Sequence, residues 1–458
     1  MVLGQDSAGA RSVQREAEAI NRLRKLVINA YEGYFLLKRL TYSPFVRNVA
    51  ILVLGTALAQ AIPIIISPVL TRLYRPEEFG FAATYTAYVA ILSIIATFRY
   101  ELVIPLPGFD QEAANLVVLT LKICAIMSLL FLPIILIMDR VIAGLFGGQA
   151  LGPWVYLLPV SIFVTGVFNT FQFWFNRIGK YKEMSAIRLQ NSLFTAVANV
   201  LLGLGGMHGG LVFGNLLGYI SASLYALYQI YRKSGALFTS VNWPNQRKEF
   251  KKYLPLIRHV VSSHLIGTVA MQIPVFMMSN VYSLKTAGFF SLAYRMITLP
   301  TLLVANAIGD VYRQRAARDF NLKGEFRGIY IKTLIATAFL AFPFYFFLVL
   351  IGPDVFAFMF GEPWRIAGEY ARILAVGAFF QFVFTPIDKG ALIVGAKRYI
   401  FLWHLVRFLL LLGLLMGTMF SSIPVEIALS ALVMINSTLY IADGIVGFKL
   451  ARGGLFKK

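Results

Sequence analysis

Apolar residues along this chain come in continuous runs, not in the alternation of a lipid-facing strand. From Asn48 onward the runs recur at about the 20 residues a helix needs to cross a hydrocarbon layer about 30 Å thick. They predict twelve spans, at 48–70, 80–99, 114–138, 153–174, 184–204, 210–231, 256–280, 286–309, 330–352, 366–388, 399–420 and 424–448. The pattern predicts an all-α polytopic membrane protein.

Composition agrees. The 458 residues are 58% hydrophobic and 14% charged, with a mean hydropathy of +0.72. A soluble domain is about 45–50% apolar and about 25% charged. Lys and Arg gather at the amino end, in the connections after even-numbered spans, and at the carboxyl end. The connections after odd-numbered spans hold only Arg72, Arg75, Arg140, Lys285 and Arg365. The positive-inside rule then predicts cytoplasmic termini. It also explains the net charge of +21 without nucleic acid as a partner.

Ahead of the first span, residues 1–46 mix Arg and Lys with Ile20, Leu23, Leu26, Val27, Ala30 and Tyr34 at spacings of three and four. That is an amphipathic segment suited to the inner interface. Charge breaks its apolar run, so it does not read as a secretory signal. The single cysteine, Cys124, falls within the third span and supports neither a disulfide nor a metal site.

The second half echoes the first. "YRPEEFGF" (74–81) and "YSLKTAGF" (282–289) share Tyr-x5-Gly-Phe, each between the first and second spans of its half. "VIAGLFGG" (141–148) and "VFAFMFGE" (355–362) share Val-x-Ala-x-x-Phe-Gly between the third and fourth spans. Two six-helix bundles are expected, 47–231 and 255–449. A basic cytoplasmic linker at 232–254 joins them and a basic tail, 450–458, comes last. Six spans per half give both halves one orientation, so a pseudo-twofold axis along the membrane normal relates them around a central cavity.

Within "GFFSLAYRMITLPTLLV" (288–304), Arg295 stands about nine residues into an apolar span. Guanidinium stays protonated at any ordinary pH, and at the bilayer centre it costs about 2.5–3.5 kcal/mol on insertion scales. A wet cavity between the bundles gives it a place. Arg295, Leu299, Leu302, Asn306 and Asp310 fall along one stripe of span 8 at steps of three and four. Span 2 carries Tyr85, Tyr88 and Arg99 on a common face, and span 7 carries His264 and Gln272. Span 11 adds His404 and Arg407, and span 5 adds Arg188 with Gln190 and Asn191. Possible coupling carboxylates are Glu369, Asp388 and Asp443.

Plainer readings stand beside these. Arg188 near a cytoplasmic end is expected to snorkel to headgroups, and Arg407 fits that role as well as a cavity role. Arg99 has Glu101 two residues on as a ready partner. Glu369 and Arg372 are spaced as an intrahelical pair. Tyr85 and Tyr88 fit an interfacial aromatic belt, and His264 fits a satisfied core histidine. No His/Cys metal spacing, Walker loop or dinucleotide fingerprint is present.

"LTRLYRPEEFGFAATYTAYVAILSIIATFRYELVIPLP" (70–107) resembles the amino-terminal pattern of the polysaccharide transporter family of oligosaccharide flippases, with its Leu-Tyr-x-Pro-x-x-Phe-Gly and Arg-Tyr-Glu elements. "FSLAYRMITLPTLLVANAIGDVYRQRAA" (290–317) and "FGEPWRIAGEYARIL" (360–374) resemble that family's later signatures. The resemblance runs from about 45 to 450 and leaves out the amino-terminal extension.

It implies two six-helix bundles around a cavity, in a bacterial inner membrane. It implies transfer of an undecaprenyl-pyrophosphate-linked repeat unit to the outer leaflet, for exopolysaccharide, O-antigen or capsule assembly. No cofactor is implied. Polymerase and chain-length components of the pathway are the implied protein partners. Arg295 and Arg99 carry over as diphosphate ligands from the matching signatures, and Arg72 and Arg407 by extension. The alternatives are a membrane enzyme acting on a lipid-linked sugar and a multidrug antiporter of the sister family.

Overall fold

Twelve long helices account for the architecture of the computed structural model, which describes residues 44–144, 151–388 and 390–453. In chain order they are α1 (Pro44–Ile65, carried on past a break at Ile66 by Ser67–Leu73), α2 (Pro76–Thr97), α3 (Asp110–Gly144), α4 (Leu158–Arg177), α5 (Tyr181–Leu204) and α6 (Gly210–Phe238). The second set is α7 (Trp243–Met277), α8 (Leu284–Pro300, carried on through a π turn by Asn306–Lys323), α9 (Arg327–Phe360), α10 (Arg365–Phe384), α11 (Lys397–Phe420) and α12 (Val425–Ala451). Each helix covers one predicted span.

Eleven of the helical stretches are long and apolar enough to cross a membrane. The other is α5, a 24-residue helix whose first turns carry Lys182, Glu183 and Arg188. Large apolar side chains face outward, among them Ile137 and Phe339, each 81% exposed. In lipid such a surface is the favoured one, and closed helices satisfy every backbone polar group internally. The chain is a multi-pass membrane protein.

Local chemistry sets the helix ends. The α1 break falls where Pro68 offers no N–H, and the Ser67 hydroxyl bonds back to the Pro63 carbonyl at 2.5 Å. Pro76 opens α2 at a position where a missing N–H costs nothing, with Glu77 and Glu78 in the first turn. The basic linker expected at 232–254 is largely helical. Only residues 239–242 separate α6 from α7, where the Asn242 side chain accepts a hydrogen bond from the Asn245 N–H at 3.0 Å. Of the amphipathic segment expected at 1–46, residues 1–43 lie outside the described residues, as do residues 145–148 of the motif at 141–148.

The described residues from Gly55 onward form one compact unit. In its first bundle α5 packs on α6, and α4 on α2, α3 and α6; in its second α10 packs on α8, α9 and α12, and α11 on α7. The bundles meet chiefly where α2 crosses α8 and α7 crosses α2 and α3.

The Tyr-x5-Gly-Phe repeat accounts for the symmetry of that meeting. Each tyrosine ties to its own bundle near where the fifth helix gives way to the sixth, Tyr74 within the last turns of α5 and Tyr282 just past the end of α11. Tyr74 donates to the Asn199 carbonyl at 2.7 Å, and Tyr282 donates to the Ile423 carbonyl at 2.8 Å. Each phenylalanine sets its ring edge-on against a tryptophan before the fourth helix, Phe81 on Trp154 at 5.8 Å and Phe289 on Trp364 at 5.7 Å. The two glycines sit on the α2–α8 crossing itself. A Cβ on Gly80 would stand 1.8 Å from the Leu284 carbonyl oxygen, and one on Gly288 1.8 Å from that of Pro76.

Candidate functional site: a cationic central cavity

Behind that crossing lies a cavity of about 730 Å3, walled by α1, α2, α4, α5 and α6 and closed on the other side by α7 and α8. The charged side chains on its wall are Arg99 and Arg295, and no carboxylate among the described residues lines it. Tyr85 and Gln272 also face it.

Arg295 projects from α8 with its side chain open to this space, and that side chain makes no hydrogen bond or ion pair with a described residue. A fixed charge in an apolar span needs water or a counter-ion, and the cavity is where either meets it.

Arg99 is placed by the backbone. Residues 98 and 99 both hold left-handed conformations, φ 47° and 56°, directly after α2. Left-handed backbone is uncommon for side chains larger than Asn, and two in succession turn the chain sharply. The Arg99 N–H is held by the Thr97 hydroxyl at 3.2 Å. Its Nη1 donates to Glu101 at 3.1 Å and its Nη2 lies 3.3 Å from His264 Nδ1 on α7. The intrachain pairing with Glu101 is therefore real, yet Arg99 still lines the cavity and bridges the two bundles. Tyr100 repeats the bridge, donating to the Phe250 carbonyl at 3.1 Å.

Other candidates fall elsewhere. Tyr88 packs edge-on against Phe276 at 5.0 Å. Arg72 is exposed and bonds to the Pro68 carbonyl of its own helix at 3.0 Å. Arg407 lies in a separate small pocket of the second bundle with Tyr294, Gln381 and Asn436. Its guanidinium stands over the rings of Trp403 and Tyr440, at 5.5 and 6.0 Å. Asn306 is exposed and bonds to the Leu302 carbonyl at 3.3 Å, while Asp310 pairs with Arg313 at 2.9 Å. The single stripe expected on span 8 is broken, because the π turn Thr301–Ala305 comes directly after Pro300. A π turn takes in about one extra residue and rotates Asn306 and Asp310 away from the face of Arg295.

Arg188 does not snorkel. Its Nε donates to Gln172 Oε1 at 2.9 Å and its Nη1 to Thr56 Oγ1 at 2.7 Å, tying α1, α4 and α5 together inside the protein. Glu369 is exposed and forms no ion pair with Arg372 within 4.0 Å. Asp388 is exposed past the end of α10, and Asp443 on α12 accepts a hydrogen bond from the Tyr399 hydroxyl at 2.5 Å.

A row of amides lies on the opposite wall: Asn169 on α4, Asn191 and Asn199 on α5, and Asn215 on α6. Of these, sequence reasoning named Asn191 and passed over the other three. A signal was present in the spacing of Asn191, Thr195 and Asn199 at steps of four, facing the Gly210-x3-Gly214-x3-Gly218 stripe of α6.

Residues 69–368 match the family described as "Polysaccharide biosynthesis protein". The chain belongs to that family. A similar protein by name is the succinoglycan biosynthesis transport protein ExoT of Rhizobium meliloti (strain 1021), 25% identical over 377 residues, which covers 79% of this chain and 72% of ExoT. Among solved structures the chain is similar to an inward-facing multidrug resistance MATE transporter of the MOP superfamily, with a TM-score of 0.60 at 15% identity over 89% of this chain and 96% of that one. It is equally similar to the lipid II flippase MurJ in an inward closed conformation, with a TM-score of 0.60 at 14% identity over 92% and 91% of the two chains. At such identities these likenesses establish the fold alone, which is the one these two proteins share.

Proposed function

We propose that this family member is a flippase that moves an undecaprenyl-pyrophosphate-linked oligosaccharide repeat unit from the cytoplasmic to the outer leaflet of a bacterial inner membrane. It does so by alternating access, for exopolysaccharide, O-antigen or capsule assembly. The observation that carries the reading is the cavity wall, which bears Arg99 and Arg295 and no carboxylate among the described residues. Guanidinium matches the oxygens of a diphosphate in geometry and charge. An exporter of organic cations would need carboxylates there, so the multidrug reading is disfavoured.

In this reading the Gly80–Gly288 end faces outward and the termini lie in the cytoplasm. The headgroup and glycan enter the cavity while the polyprenyl tail stays in lipid. Rocking of the bundles that parts the α2–α8 crossing then reopens the cavity outward. A membrane potential positive outside is worth about 2.3 kcal/mol per charge per 100 mV and drives an anionic headgroup outward. Should an ion take part, Asp443 is the best placed of the three carboxylates, since the Tyr399 hydroxyl fixes it inside the second bundle. Polymerase and chain-length components would take the product.

The test is Arg295→Ala at normal abundance. Lost polymer with lipid-linked intermediate accumulating inside the cell supports the reading; unchanged polymer removes Arg295 from it. Sugar transfer by the purified protein would favour the enzyme alternative.

A further inference from the structure

We infer that the α4–α5–α6 wall of the cavity is a glycan subsite for uncharged sugar residues, built from Asn169, Asn191, Asn199, Asn215 and Tyr219. The inference rests on the flippase reading and adds to it the part of the substrate that the arginines do not explain.

The cavity's polar groups divide into two sets. Several small hydroxyl groups near α2 and α8 are spoken for within the protein, while Arg295 is left to the headgroup. Tyr85 and Ser161 share a hydrogen bond at 2.7 Å, Ser93 donates to the Ala90 carbonyl at 3.1 Å, and Ser291 donates to the Gly288 carbonyl at 2.9 Å. Across the cavity, the side-chain amides of Asn169, Asn191, Asn199 and Asn215 make no hydrogen bond to a described residue. Asn199 is buried and the other three are half-buried. A buried polar group nearly always finds a partner, because an unmade hydrogen bond costs about 1–3 kcal/mol. Four uncommitted amides on one wall, in a membrane interior where Leu or Ala would pack as well, are groups kept for a ligand.

Their placement is fixed. Asn191, Thr195 and Asn199 lie one turn apart along α5, against the glycine stripe of α6. A Cβ on Gly214 would stand 2.0 Å from Asn199 Oδ1, and one on Gly218 1.9 Å from Thr195 Oγ1 and 3.0 Å from Asn191 Oδ1. Asn191 and Asn199 each turn one end of the amide into that seam, where it is buried and unpartnered. Both residues also line the cavity. Tyr219 lines the same wall, its ring held edge-on by Phe168 at 5.1 Å.

Amides that both donate and accept, beside an aromatic ring, suit the hydroxyl edges and apolar face of a pyranose. Because this wall carries no charge, the sugars it takes are neutral hexosyl or acetamido-hexosyl residues. The volume, about 730 Å3, sits within the roughly 300–1,000 Å3 of small-molecule sites. It takes a short oligosaccharide and no long polymer.

The experiment measures binding of two kinds of probe to the purified full-length protein in nanodiscs. One is undecaprenyl pyrophosphate; the other is a panel of undecaprenyl-pyrophosphoryl mono- to tetrasaccharides of neutral sugars. The best panel member should bind about tenfold tighter than the bare lipid, as one or two good hydrogen bonds allow. Asn169→Leu and Asn215→Leu should erase that advantage and leave the bare-lipid Kd unchanged, with Asn169→Ser retaining part of it. The inference is overturned if no panel member outbinds the bare lipid, or if the Leu variants, still monodisperse, keep the full advantage. Arg295→Gln should weaken both probes by the same factor. If it leaves bare-lipid binding untouched, the headgroup reading fails while the amide wall is judged separately by the Leu variants.

Discussion

Gly80 and Gly288, equivalent residues of the two halves, meet backbone to backbone where α2 crosses α8. The Cβ that either lacks would stand 1.8 Å from a carbonyl oxygen of the other helix. Small residues let membrane helices approach this closely. No rotamer change relieves the clash, because the obstacle is backbone.

Gly80→Val is therefore expected to spread this end of the bundle, with an overpacking cost of about 1–3 kcal/mol. Spin labels on the exposed positions Glu77 and Lys285 report the change. The distance distribution should lengthen in Gly80→Val and Gly288→Val. An unchanged distribution would mean that the crossing is not what holds the end shut.

The two tyrosine ties offer a second check. Tyr74→Phe deletes one buried hydrogen bond and Tyr282→Phe one half-buried, each worth about 0.5–1.5 kcal/mol. The sites lie in different bundles and share no partner, so the losses should add in the double variant. Equilibrium unfolding in detergent measures this. A double variant no weaker than either single one would contradict independent ties.

Phe98 tests the bend that presents Arg99. With φ at 47° it stands in the left-handed region and is 40% exposed. Phe98→Asn should be close to neutral, since Asn tolerates that region. Phe98→Val should lose about 1–2 kcal/mol, since a β-branched side chain does not. Equal stability of the two would mean that backbone strain plays no part in presenting Arg99.

Arg407 separates structure from function. Its guanidinium is packed over two aromatic rings in a pocket of its own. Arg407→Gln should lower stability by about 0.5–2 kcal/mol, the range of a desolvated cation–π contact. Binding of undecaprenyl pyrophosphate should be unchanged. A tenfold weaker headgroup Kd at full stability would return Arg407 to the substrate site.

Much of the fold was legible because lipid imposes a simple rule on helix length and hydrophobicity. Even α5 was found, despite Lys182, Glu183 and Arg188, because its run continues for a further four turns. The Tyr-x5-Gly-Phe repeat was visible as a pattern, although nothing local shows that its glycines touch. The site was harder to read. Arg295 stood out because an unpaired guanidinium in a span demands an explanation. Asn169, Asn199 and Asn215 did not, since a lone amide in an apolar run looks like packing until three helices bring them together with Asn191. Arg188 was misread because proximity to a helix end says nothing of Gln172 and Thr56, which lie on other helices. The α8 stripe failed at Thr301–Ala305, where a π turn changes a period that counting by three and four takes as constant.

The most direct measurement is flipping in proteoliposomes, with a fluorescent undecaprenyl-pyrophosphoryl oligosaccharide followed from one leaflet to the other. Wild-type protein should move it, and Arg295→Gln, folded and inserted to the same level, should slow it by tenfold or more, about 1.4 kcal/mol of lost headgroup binding. Equal rates from the two proteins would contradict a cationic cavity that carries a diphosphate.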